Sequence, residues 1–300
     1  MHPPFFAAIE GGGTKFLCAV IAADNTILDQ KRLPTSLPEQ TLAACLDFFR
    51  QSPHRAGIAA LGIASFGPLD PRRGSPTFGK ILATPKPGWS GTDLVGFFEK
   101  ALGLPIGFDT DVNGAVLAEA KWGAGKGLRD LIYYTIGTGI GAGALVNGQL
   151  LHGMTHPEMG HVRLPRARER DPFEGVCPFH GDCFEGLATG PAITVRWGVP
   201  ADQLPKDHPA WDLEAEYIAL ALQGTICAFS PERIILGGGV MEQRQLFPLI
   251  RQKTAAFLNG YIRDQRLLNG MEEYIVPPEL GSRAGILGAK ALAEMALAEI

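Results

Sequence analysis

The chain has 300 residues, 46% of them apolar and 19% charged; this is roughly two domains' worth of globular sequence, and it excludes intrinsic disorder. Its 27 basic and 31 acidic residues leave a net charge of −4, with no general attraction to nucleic acid or an anionic membrane. No apolar run reaches the ~18 residues of a membrane-spanning helix, and residues 1–14 lack a signal-peptide pattern. The five cysteines are too few, and an odd number, for a disulfide framework. A reducing compartment, the cytoplasm, is expected, with Cys18, Cys45 and Cys227 as buried thiols in apolar surroundings. Glycine is in excess at 38 residues, and its clusters suggest loops where backbone approaches a ligand.

In chain order, Phe5–Ile9 and Phe16–Ala22 read as strands joined by the turn Glu10-Gly11-Gly12-Gly13-Thr14-Lys15. A helix is predicted over Thr41–Arg50, a buried strand over Ile58–Ala64, and loop and edge over the Pro- and Gly-rich Pro68–Trp89. Helix Asp93–Leu102, the short strand Ile106–Phe108 and helix Asn113–Trp122 follow. Leu131–Ile136, Gly137-Thr138-Gly139-Ile140-Gly141 and Ala142–Val146 then repeat the strand, glycine turn, strand layout, which suggests two halves of related design. His152–Pro191 has little periodicity and needs a function or a clamp. Helix Glu214–Ala228, strand Arg233–Leu236, helix Leu246–Leu258 and an Ala-rich helix Ala284–Ile300 complete the chain. Strands alternating with helices imply an α/β class with two domains. The expected division is 1–112, completed by 284–300, against 113–283.

Consecutive glycines let backbone N–H groups converge on an anion. The cluster at 137–143 superficially resembles a dinucleotide fingerprint, but a strand follows it where that motif needs a helix. Gly237-Gly238-Gly239 follows a strand and precedes a helix, which suits a nucleotide contact. Any one of these clusters can equally be a simple tight turn.

His161, Cys177, His180 and Cys183 offer two imidazoles and two thiolates, a set that satisfies tetrahedral Zn2+ and would clamp the irregular loop as a structural site. The alternative is a free-thiol loop with surface histidines; His152 and His156 are spare donors that could swap in. Asp109 and Asp111 follow a strand and precede a helix, where a carboxylate reaches a ligand, although Asp111 or Asn113 at that position also reads as a helix cap. Glu158 and Glu185 would be drawn together by the metal. Arg163, Arg166, Arg168 and Arg170, interrupted by Glu169 and Asp171, read as a solvated loop.

Taken together these motifs resemble the ROK family (repressors, open reading frames and sugar kinases), in particular its bacterial fructokinase branch, over essentially the whole chain. The resemblance implies the two-domain actin-like ATPase (sugar kinase) fold of α/β type, with a cleft between the domains. Glu10, Gly11, Gly12, Gly13, Thr14 and Lys15 resemble the first phosphate motif, and Thr135–Gly141 the second, with Gly137, Thr138 and Gly139 at ATP. Pro191, Gly237, Gly238 and Gly239 fall where the family contacts the nucleotide. Ser65-Phe66-Gly67-Pro68 resembles the sugar-side loop, and Thr84–Trp89 a segment typical of fructokinase members. Asp109-Thr110-Asp111-Val112-Asn113 is similar to the catalytic segment, which makes Asp111 the general base and puts Asn113 beside the sugar. Glu158-Met159-Gly160-His161 resembles the family's E-x-G-H, which implies that Glu158, His161 and Glu185 serve the sugar and that His161, Cys177, His180 and Cys183 hold structural zinc.

Two positions depart from the pattern: Glu10 stands where an aspartate is frequent near Mg2+, and His180 where many members have a third cysteine. The resemblance implies ATP-dependent phosphorylation of fructose at C6, by a homodimer using Mg2+ and zinc. Glucose, mannose or an N-acetylhexosamine as acceptor remains the alternative. A sugar-responsive repressor would carry a helix-turn-helix domain ahead of the first motif; nine residues precede Glu10 and the charge is acidic, so that reading is set aside. A non-catalytic sensor would be expected to lose the base, and Asp111 is present.

Overall fold

Apolar, small and β-branched residues run without interruption through Ala7, Ala8 and Ile9, all fully buried, as a central strand covered on both faces requires. In the computed structural model, which describes residues 4–299, this run is strand β1 (Phe5–Gly11). A tight turn, closed by the Gly12 N–H donating to the Lys15 carbonyl at 2.8 Å, leads into antiparallel β2 (Lys15–Ala22) and β3 (Ile27–Pro34). Helix α1 (Pro38–Gln51) precedes β4 (Ile58–Ser65), which pairs parallel to β1. Then come α2 (Leu94–Leu102), capped by the Asp93 carboxylate, β5 (Ile106–Thr110) parallel to β4, and α3 (Asp111–Trp122). The sheet order is β3-β2-β1-β4-β5.

The second sheet repeats this plan. β6 (Leu131–Ile136) turns into antiparallel β7 (Ile140–Val146), and the two-residue β8 (Gln149–Leu150) forms the edge. After a long irregular stretch come α4 (Phe184–Ala188), α5 (Gly190–Trp197) and α6 (Ala210–Phe229). β9 (Arg233–Gly237) pairs parallel to β6; α7 (Leu246–Leu258), α8 (Gln265–Leu268) and α9 (Met271–Tyr274) lead to β10 (Ile275–Val276), parallel to β9. The order is β10-β9-β6-β7-β8; read from β8 to β10, it matches the first sheet read from β3 to β5, with antiparallel β6–β7 in the place of β1–β2 and parallel β6–β9–β10 in the place of β1–β4–β5. The expected duplication is therefore a shared topology. No helix among the described residues is long and apolar enough to cross a membrane.

The last helix, α10 (Ala284–Ala298), belongs with the first sheet. It lies so close to β4 and β5 that a Cβ at Gly62 would sit 1.7 Å from the Ala289 carbonyl oxygen, and one at Gly107 2.1 Å from that of Leu292. Its Lys290 is fully buried, and its ammonium donates to the Ala23 carbonyl, the Asn25 amide oxygen and the Glu294 carboxylate at 3.0, 2.7 and 2.6 Å. A charge can be buried there because each donor has a partner.

By internal contacts the described residues divide into two units. One holds the chain up to Trp122, Leu150–Pro157, and the chain from Ser282; the other holds Gly123–Gln149 and Glu158–Gly281. The expected divide at 112/113 lies earlier, because α3 packs on α10 and stays with the first sheet. Helix α3 also starts two residues before the predicted Asn113, since the Thr110 hydroxyl caps the Asn113 N–H at 3.1 Å. The edge strand β3 gave no sequence signal, as its Gln30-Lys31-Arg32 stretch is exposed and polar. Cys227 is exposed rather than buried: on α6 its neighbour Ile226 takes the inward position, which turns Cys227 outward. Residue 300 of the predicted terminal helix lies outside the described residues.

Candidate active site

The first unit gathers side chains at the C-terminal ends of β4 and β5, where parallel strands leave room for a ligand. Asp109, 2% exposed, accepts at Oδ1 from the Thr110 N–H and from Asn113 Nδ2, both at 2.8 Å. Its Oδ2 lies 2.8 Å from His152 Nε2, and this bond to Asp109 raises the His152 pKa against the opposing effect of burial. Asp111 opens α3 and accepts the Val112 N–H at 2.9 Å. Thr110 supplies the side-chain cap to the Asn113 N–H, so that part of the cap reading passes from Asp111 to its neighbour. The β4 loop carries a cis Gly67–Pro68 peptide, and the Leu69 N–H donates to His156 Nε2 at 3.2 Å.

The Gly11–Lys15 turn is held from outside. The Thr35 hydroxyl donates to the Gly12 carbonyl at 2.8 Å, and the Lys86 ammonium to that of Gly13. Glu10 packs against the first turn of α10, where a Cβ on Gly285 would fall 2.4 Å from its carboxyl carbon. Burial raises the Glu10 pKa, opposed by Lys15 and Arg32.

In the second unit a cavity of about 750 Å³ is lined by Gly137, Thr138, Pro191, Gly238 and Gly239, so three separate sequence clusters meet in one place; its volume is that of an ordinary small-molecule site. Gly238 has φ +91°, and a Cβ there would lie 2.4 Å from the Ile136 carbonyl oxygen. The Gly190 N–H donates to the Gly137 carbonyl at 2.8 Å, which ties α5 to the β6–β7 turn, and Thr189 caps α5. Gly139 instead faces Glu185, whose Oε2 would be 3.0 Å from a Cβ there, and Gly237 packs under the Tyr133 hydroxyl. Thr135, from the second phosphate motif, lines the cavity as well, and so do Thr194 and Gln243, which escaped the sequence reading; only the Thr189-Gly190-Pro191 helix start could have signalled this wall.

The ligand atoms of His161, Cys177, His180 and Cys183 all lie within 4.8 Å of one another. Cys177 Sγ is 3.8 Å from His161 Nδ1 and 3.6 Å from His180 Nδ1, and Cys183 Sγ is 3.5 Å from His161 Nδ1. Bonds of about 2.3 Å to sulfur and 2.0–2.1 Å to nitrogen in a tetrahedron put S and N about 3.6 Å apart, so these three S–N spacings are compatible with one tetrahedral ion. His161 uses its other nitrogen differently: Nε2 is 3.9 Å from Glu185 Oε1. Glu185 also accepts the Ile140 N–H at 3.0 Å. Glu158 reaches solvent, yet the protein around its carboxyl and the nearby Glu185 push its pKa up to about 7. The expected juxtaposition of Glu158, His161 and Glu185 is present in the geometry.

Two sequence readings change. His152 and His156 do not join the donor cluster, which is His161, Cys177, His180 and Cys183; they are held instead at Asp109 and at the Leu69 N–H. The arginine run is not simply a solvated loop. Arg166 has a side chain only 5% exposed, pairs with Asp182 at 3.0 Å, and donates to the Asp171 and Phe173 carbonyls at 2.8 and 2.6 Å. Its charge pins the irregular loop from within.

Comparison with known proteins gives a consistent result. The chain is 47% identical over 294 residues to a fructokinase of Zymomonas mobilis subsp. mobilis, covering 96% of each chain. It is 44% identical over 290 residues to a fructokinase of Pediococcus pentosaceus, covering 97% of this chain and 98% of that one. The crystal structure of a ROK hexokinase from Thermus thermophilus aligns with a TM-score of 0.78 at 26% identity, over 99% of this chain and 100% of the other. The fold is therefore the actin-like α/β fold of ROK sugar kinases. A family model matches residues 6–296: the chain belongs to the ROK family.

Proposed function

We propose that this protein phosphorylates D-fructose on its C6 hydroxyl, with Mg–ATP as donor and fructose 6-phosphate as product. The observation that carries this reading is the near-full-length identity of 47% and 44% to two proteins named fructokinase. The geometry supports it, since the chain has both a group of hydrogen-bonding side chains suited to hydroxyls and a glycine-lined cavity suited to a nucleotide.

Asp111 takes the proton of the attacking hydroxyl as its oxygen approaches the γ-phosphoryl group in line. Asn113, Glu158, His161, Glu185 and the Gly67–Pro68 loop hold the remaining hydroxyls. The Glu10–Lys15 turn, Gly137–Gly139, Pro191 and Gly237–Gly239 take the nucleotide, largely through backbone N–H groups. Mg2+ arrives with the nucleotide and offsets charge on its phosphates. His161, Cys177, His180 and Cys183 would hold zinc, which with four protein ligands serves as a structural clamp. Cytoplasmic location and a homodimer complete the proposal; light scattering on the purified protein reads the latter.

The test is an ADP-release assay with fructose, glucose, mannose, N-acetylglucosamine and N-acetylmannosamine. A kcat/KM for fructose at least about 10-fold above the rest is expected, a difference of about 1.4 kcal/mol in transition-state binding. Preference for another hexose replaces fructose as the acceptor, and no ADP release with any of them overturns the kinase reading.

A further inference from the structure

Burying a carboxylate is costly unless its oxygens are fully used, and Asp109 uses both. Oδ1 receives two N–H donors and Oδ2 the ring of His152. The consequence falls on the partners. The Asn113 amide must turn its nitrogen to Asp109, which points its oxygen elsewhere. His152 must carry its proton on Nε2, so Nδ1 is the remaining ring nitrogen.

That nitrogen has no hydrogen-bond partner among the described residues, and 30% of the side chain is exposed. The neighbouring histidine differs: His156 Nε2 is taken by the Leu69 N–H beside Gly67–Pro68. The segment 150–157 thus straps both the β4 and the β5 loops of its own unit, and the His152 ring stands on Asp109 and Asn113, the residues flanking Asp111. Its Nδ1 accepts a hydrogen bond when the ring is neutral and donates one when it is protonated. A hydroxyl answers either state.

We propose that His152 is a specificity-determining residue of the acceptor side: Asp109 fixes its ring through Nε2, and Nδ1 hydrogen-bonds a hydroxyl of the hexose. Asp109 is then a positioning residue that acts through His152 and Asn113. The inference rests on the sugar-kinase reading above and deepens it.

The test replaces His152 with Ala, Asn and Gln in the full chain. An Asn amide falls near the place of Nδ1, whereas a Gln amide falls near that of Nε2. His152→Ala should raise KM for the hexose by about 10- to 100-fold, the span of one hydrogen bond made to substrate, with KM for ATP within about twofold. His152→Asn should recover part of the hexose KM. His152→Gln should recover melting temperature through Asp109 but not the hexose KM.

Three results overturn the proposal: an unchanged hexose KM in His152→Ala, an equal rise in KM for ATP, or full rescue of hexose KM by Gln. Failure of the kinase reading is seen separately, in wild-type protein that releases no ADP. In that case hexose Kd by calorimetry replaces KM across the same variants. A wild type that binds no hexose sinks both inferences.

Discussion

The two sheets share one topology and use it differently. In the first, the chain leaving β4 and β5 presents side chains: a cis Gly67–Pro68 loop, then Asp109, Asp111 and Asn113. In the second, the chain leaving β9 presents backbone at a cavity, as Gly238 and Gly239. On the proposed function, the contrast answers the different demands of the two ligands. A hexose offers hydroxyls that must be told apart, which takes carboxylates, amides and imidazoles of fixed orientation. A polyphosphate offers charge and acceptor oxygens, which N–H groups bind best where no Cβ intervenes. One strand order therefore supplies two chemistries, through the different segments that leave its parallel strands.

The largest break in this contrast is Asp111→Asn. It should lower kcat by roughly 10^2- to 10^4-fold with little change in hexose KM, the signature of a lost general base. Steady-state kinetics with near-normal kcat would remove Asp111 from the chemistry. In the other unit Gly238→Ala places a Cβ 2.4 Å from a carbonyl oxygen at φ +91°. It should displace the cavity wall and raise KM for ATP by on the order of 10^2-fold, with hexose KM within about twofold. Equal effects on both substrates would mean that the glycine serves the fold rather than the nucleotide.

Much of this was legible in the sequence because the signals are local. The strand–glycine–strand units, the close Cys177, His180, Cys183 triplet and the helix after Asp109 each depend on neighbours a few residues apart. The misses are of another kind. His152 pairs with Asp109, 43 positions away, and Arg166 with Asp182, 16 away, and no periodicity reports such pairings. β3 carries too few apolar residues to register, because only its partner β2 makes it a strand. Thr194 and Gln243 are ordinary residues that become a cavity wall only once α5 and the turn before α7 are assembled.

A middle-sized effect is expected at the metal cluster. Stripping metal with a chelator, or Cys177→Ser, should lower the melting temperature, because a closed four-ligand site contributes its binding energy to folding. Short of unfolding, it should raise hexose KM by about 10-fold and leave ATP KM nearly unchanged, since Glu185 lies beside His161. Metal analysis of the purified protein should find one zinc per chain. An unaltered melting curve after chelation, with no metal bound, would return the cluster to a free-thiol loop.

The smallest effect sharpens the side-chain half of the comparison through pH. Asp109 raises the pKa of His152 in the folded protein, above the unfolded value of about 6.5. A group whose folded pKa is raised stabilises fully below its unfolded pKa, and that stabilisation is lost as pH rises through the folded pKa. His156 is the other titratable group interacting with this pair; burial lowers its pKa, so it adds charge there only at more acid pH. Asp109→Asn removes the anion. The melting-temperature gap between wild type and this variant should therefore be widest between about pH 5 and 6.5 and narrow above it. Solvent reaches the ring, so the pH-dependent part should be on the order of 2 °C. The pH-independent part reports the lost Thr110 and Asn113 bonds. A gap that stays flat across this window would show that Asp109 holds an uncharged ring throughout, and that it orients His152 without shifting its proton.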